Sequence, residues 1–120
     1  MQPKNLLFVI RHSSYGLFPG REILDAILAA SAYGQNIQVL FMDEGIWQIK
    51  SDQQANLIAQ KSVEKNLAAF EIYEIEELFV CERSALERGI SADDISVDAQ
   101  WLNTASIQAL LSKQDQILSF

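Results

Sequence analysis

The sequence predicts a three-layer α/β fold: a mainly parallel sheet of about five strands with helices on both faces, in a flavodoxin-like arrangement. Three observations carry this expectation. Short, unbroken apolar runs recur along the chain, as in strands covered on both faces. Segments with helical apolar spacing separate most of these runs. With 49% hydrophobic residues, a chain of 120 residues can build one core and has room for one domain, residues 1–120.

The elements follow in order. Leu6-Leu7-Phe8-Val9-Ile10 is a continuous apolar run that opens the sheet, and Pro3 precedes it, where a missing N–H does no harm. Residues 11–18 are polar and loop-like. A helix begins at Gly20, presents Ile23, Leu24, Ile27, Leu28 and Ser31 on one face, and stops at Gly34. Residues 37–42 form the second strand and run directly into the acidic turn Asp43-Glu44-Gly45. Ile46-Trp47-Gln48-Ile49 alternates, as a short strand extension or a lid segment would.

Residues 53–59 are weakly helical, and Ser62 is placed to cap a further helix with Val63, Leu67 and Phe70 on its face. Leu78-Phe79-Val80-Cys81 is the third strand. A short helix follows through Leu86 and ends at Gly89. The fourth strand is expected at residues 95–99. Asn103 then caps a helix carrying Ile107, Leu110 and Leu111, and residues 116–120 supply the last strand. Right-handed crossovers join these units.

Composition excludes several function classes. A formal charge of −7 opposes direct nucleic-acid binding, which needs a Lys/Arg footprint. One Cys cannot form a disulfide within the chain, so a reducing cytoplasm is the expected setting. One Cys and one His cannot supply a tetrahedral zinc site, and no metal is expected. No apolar run approaches the roughly 20 residues that span a bilayer, and no signal peptide is apparent. The first loop has neither a Walker A sequence nor G-x-G-x-x-G spacing, so no nucleotide, flavin or other cofactor is expected.

In open parallel sheets, ligands bind beyond the carboxyl ends of the strands. Three segments fall there: Arg11-His12-Ser13-Ser14-Tyr15-Gly16, Asp43-Glu44-Gly45-Ile46-Trp47 and Cys81-Glu82-Arg83-Ser84. Cys81 has two readings. It is a small buried residue at a strand end, or a thiolate steadied by a helix start and Arg83 and opposed by Glu82, Asp43 and Glu44. His12 is the sole His and sits either in an ordinary surface loop or beside the thiol as a base or partner contact. Trp47 and Trp101 serve packing or anchor an interface. Glu71, Glu74, Glu76 and Glu77 form a solvated acidic face more readily than a docking site for a basic partner.

Several of these motifs occur together in one known family. Tyr15-Gly16 followed by Gly20-Arg21-Glu22 and Leu24-Asp25-Ala26, then Val39-Leu40-Phe41 into Asp43-Glu44-Gly45-Ile46-Trp47-Gln48, resembles the TusC/DsrF family. Phe79-Val80-Cys81, Leu86-Glu87-Arg88-Gly89 and the closing Ile117-Leu118-Ser119-Phe120 extend the likeness over the whole chain, on the TusC side of the family. The resemblance implies a DsrE/DsrF-like fold and a cytoplasmic subunit of a TusBCD-like sulfur relay, without a cofactor.

It further implies a heterohexamer with TusB-like and TusD-like subunits. Through that complex, persulfide sulfur would pass from a TusA-like donor to a TusE-like acceptor, towards 2-thiolation of a tRNA wobble uridine. Neither direct nucleic-acid contact nor a membrane is implied, and the isolated chain is free to form homo-oligomers. In such systems the active Cys belongs to the TusD/DsrE-like subunit, so the resemblance makes this chain a non-catalytic assembly subunit. Cys81 is the candidate catalytic residue, and His12, Tyr15, Gly16, Asp43, Glu44, Trp47 and Arg83 are the candidates for partner contact or pocket lining. The alternatives are a DsrEFH-like sulfur-oxidation subunit, a stand-alone persulfide carrier using Cys81, and a small-ligand-binding module of the same fold.

Overall fold

Apolar residues at alternate positions of two neighbouring strands build each face of the sheet. The computed structural model describes residues 3–12, 19–49, 75, 77–95 and 98–120, with the backbone alone for residues 19–24 and 48. Strand β1 (Asn5–Ile10) buries Leu7, Phe8, Val9 and Ile10 in succession, as an interior strand covered on both faces must. Helix α1 (Pro19–Ala32) follows, with Ile27 fully buried, and Gly34 ends it at φ 75°. Strand β2 (Asn36–Phe41) pairs with β1 in parallel, Leu6 opposite Ile37 and Ile10 opposite Phe41.

Beyond β2 a 3₁₀ helix spans Asp43–Gln48. Strand β3 (Leu78–Cys81) leads straight into helix α2 (Glu82–Glu87). A second 3₁₀ turn, Ala92–Asp94, is closed by a capping box between Ser91 and Asp94. Strand β4 (Gln100–Leu102), helix α3 (Thr104–Ser112) and strand β5 (Gln116–Ser119) complete the described elements.

The strand order is β4-β3-β2-β1-β5, and every pairing is parallel. The expected layered α/β sheet of five strands is therefore present. Its order places β2 at the centre and β1 between β2 and the edge strand β5, and it sends the chain from β4 across to the far side of β1. One face carries Phe8, Ile10, Val39, Phe41 and Val80 under Ile27 of α1. The opposite face carries Leu7, Val9, Leu40, Cys81 and Leu102 under Ile107 and Leu110 of α3. Asn103 caps α3 by accepting a hydrogen bond from the Ser106 N–H at 2.8 Å.

Two local expectations are corrected. The fourth strand of the sheet is Gln100–Leu102, later than the expected residues 95–99; the Ser91 capping box closes its turn over Ala92–Asp94 just ahead of that span, of which residues 96–97 lie outside the described residues. Residues 46–49 do not form an extended segment. Ile46 and Ile49 lie three apart on the inner side of the 3₁₀ turn, and both are fully buried. The helices expected at 53–59 and after Ser62 lie outside the described residues.

Candidate functional site

The carboxyl ends of β1, β2 and β3 are tied together by one polar network. Asp43 follows β2 with φ 51°, the one positive φ of a non-glycine among the described residues. Asp tolerates this left-handed conformation better than most side chains, but at some cost. The Asp43 N–H donates to Ser84 Oγ at 2.9 Å, and Ser84 is only 4% exposed. Arg11 Nε donates to Asp43 Oδ2 at 2.9 Å. Arg88 Nη2 and Nε both donate to Glu44 Oε1, at 2.8 and 3.1 Å, while Arg88 Nη1 reaches the Ser84 carbonyl at 3.1 Å.

Gly45 locks the same turn sterically. Its N–H donates to the Met42 carbonyl, and a Cβ at this position would lie 1.9 Å from the Ile10 carbonyl oxygen. Only glycine allows the turn to sit so close to the end of β1.

Cys81 ends β3 and occupies the cap position of α2, where its side chain makes no capping hydrogen bond. It is 6% exposed and packs among Leu7, Val9, Leu40 and Leu102. A cleft of about 360 Å³ opens beside it between α2 and α3, lined by Met42, Asp43, Cys81, Arg83, Ser84 and Ile107 among others. Arg83 does not stand as a free cation beside the thiol: its Nε donates to Glu87 Oε1 at 3.1 Å. The helix following Cys81 is only six residues long, so its dipole offers a thiolate modest support.

Of the sequence candidates, Asp43, Cys81 and Arg83 line this cleft together. Glu44 stands next to it through Arg88. Trp47 is partly buried and packs against the core cluster that holds Phe8 and Phe41. His12 lies exposed just beyond β1. Tyr15 and Gly16 lie outside the described residues. Ser84 and Arg88 organise the site; the sequence placed Ser84 in a segment beyond the strand ends and Arg88 in a family-like motif but singled out neither as a site residue, because their partners are 41 and 44 residues away. The one available hint is the position of Ser84 three residues after Cys81, on the first turn of the helix.

A larger cavity, of about 560 Å³, lies at the opposite, amino end of the strands, among Asn5, Gln35, Asn36, Gln38 and Gln114. Half of its lining residues carry side-chain amides, among them Gln114, whose Nε2 donates to Gln38 Oε1 at 2.6 Å. Its lining includes no cysteine, and ligands of parallel sheets gather at the other end. The cleft beside Cys81 is therefore the better candidate. Among the described residues, no three His, Cys, Asp or Glu side chains converge to hold a metal ion, and no helix is long and apolar enough to cross a membrane.

The profile of the DsrE/DsrF-like family matches residues 4–120. The chain belongs to the DsrE/DsrF-like family. Similar members include the "Protein TusC homolog" of Vibrio parahaemolyticus, 36% identical over 115 residues, covering 96% of this chain and 98% of that one. Those of Vibrio vulnificus and Aliivibrio fischeri are each 35% identical, over 96% and 94% of this chain and 98% and 96% of theirs. Among solved structures, the ychN protein from E. coli superposes with a TM-score of 0.72 over 98% of this chain and 99% of that chain. At 13% identity, that likeness speaks for the shared DsrE/DsrF-like fold alone.

Proposed function

We propose that this chain, acting as a single domain, is a non-catalytic assembly subunit of a cytoplasmic, TusBCD-like sulfur relay. The relay passes persulfide sulfur towards 2-thiolation of a tRNA wobble uridine. The observation that carries this reading is the 36% identity to a TusC homolog over nearly the whole of both chains. The site supports a role without catalysis: Cys81 is enclosed in the core, and the nearest cation on its helix is paired with Glu87. The acidic surface fits a subunit that serves tRNA through protein docking rather than by touching it.

Co-expression with TusB-like and TusD-like chains, followed by size-exclusion chromatography with light scattering, tests the proposal. A heterohexamer containing this chain is the expected result. A chain that stays separate from both partners sinks the proposal. Loss of tRNA 2-thiouridine on deletion of its gene separates this relay from a DsrEFH-like sulfur-oxidation role, in which that nucleoside is untouched.

A second reading follows from the cleft beside Cys81. A Cys81 thiolate attacks the outer sulfur of a donor persulfide; a new S–S bond forms on Cys81, and the donor leaves as a thiolate. A mass increase of about 32 Da after incubation with a persulfurated donor, absent in Cys81→Ser, supports this carriage. A complex fully active as Cys81→Ser removes it.

A further inference from the structure

We propose that Ser84 is a positioning residue, whose hydroxyl latches the Asp43 turn in its left-handed conformation and so holds shut one side of the cleft leading to Cys81. The device concerns access to the thiol and stands whether or not the relay reading does.

Four observations converge on it. Ser84 is the one buried polar side chain of the described core, at 4% exposure, and its Oγ accepts the Asp43 N–H at 2.9 Å. Asp43 holds φ 51°, a left-handed conformation that Asp adopts more readily than most side chains but still at a cost that surrounding contacts must offset. Met42, the residue before this turn, packs against the cluster that contains Cys81. Met42, Asp43, Cys81 and Ser84 also line the same cleft.

The turn is thus held in a strained state by a few contacts, of which one is made by Ser84. The Arg11–Asp43 pair is half-exposed at both ends and adds little by itself. Removing the Ser84 hydroxyl leaves the part-buried Asp43 N–H without this partner. The cheapest relief is for Asp43 to leave the left-handed region and turn its N–H to water. That movement carries Met42 and Asp43 away from the cleft wall and uncovers the sulfur.

The chain holds one Cys, so alkylation by iodoacetamide reads this access directly on the full-length protein. Ser84→Ala is expected to speed Cys81 alkylation about tenfold, the effect of losing one net hydrogen bond from the closed state. The increase is expected to be flat in low urea, as a local opening is. Adding Asp43→Gly to Ser84→Ala is expected to slow the reaction again, because glycine takes φ 51° without cost. Should Ser84→Ala fail to fold, Asp43→Ala leaves Ser84 in place and is expected to give the same acceleration, since Ala resists a positive φ. An unchanged rate in the folded variant overturns the latch. So does an acceleration that climbs with urea alongside global unfolding, because Ser84 then acts through packing alone.

Discussion

Replacing Gly45 by Ala places a Cβ 1.9 Å from the Ile10 carbonyl oxygen, inside any allowed contact. That oxygen cannot retreat freely, because it accepts the Met42 N–H at 3.0 Å and ends β1, a strand paired on both sides. The turn must move instead, straining the Asp43 and Glu44 contacts that follow β2. The expected cost is about 3 kcal/mol, at the upper end of overpacking penalties. A fall in the urea midpoint of Gly45→Ala measures it, and a midpoint equal to that of the parent chain removes the argument. Glycine at this position was visible in the sequence as part of an acidic turn. The reason for it was not, because the carbonyl it faces belongs to a residue 35 positions earlier (45 − 10).

At the scale of elements, Asn103 gives the cleanest case. Its side chain accepts the Ser106 N–H, so Asn103→Ala is expected to cost about 1 kcal/mol. Hydrogen exchange at the Ser106 amide is expected to speed up, while Asn103→Asp keeps both values near those of the parent. This cap was legible because its signal is local: one polar residue ahead of a helical apolar face. Strands β1, β2 and β3 were legible for a related reason, since burial on both faces writes itself as a continuous apolar run.

Strand β4 was misplaced because an edge strand of three residues carries almost no pattern, and Gln100 is exposed. The Asp43–Gln48 turn misled by its period. Alternation was read where the true spacing is three, linking Ile46 to Ile49. The site was half legible. A general rule of parallel sheets brought Asp43, Arg83 and Cys81 together, whereas the long-range bonds of Ser84 and Arg88 have no signature along the chain.

On the scale of the molecule, the sheet depends on its last strand. β5 pairs with β1 from Leu6 opposite Gln116 to Val9 opposite Ser119, and Phe120 stacks on Phe8 with ring centroids 6.0 Å apart. The Arg11 N–H also donates to the Phe120 carbonyl at 2.7 Å. Deleting residues 116–120 strips one whole side of β1. The shortened chain is expected to lose its cooperative urea transition. A sharp transition near the parent midpoint contradicts that dependence.

Because β1 lies between β2 and β5, a strand made early waits for one made about a hundred residues later. Its inner neighbour arrives within a few tens of residues; its outer one arrives only when translation of this sequence is complete. The nascent polypeptide therefore exposes an unzipped flank of an apolar strand while the residues between β1 and β5 are made. Holding chaperones have their longest opportunity to act there.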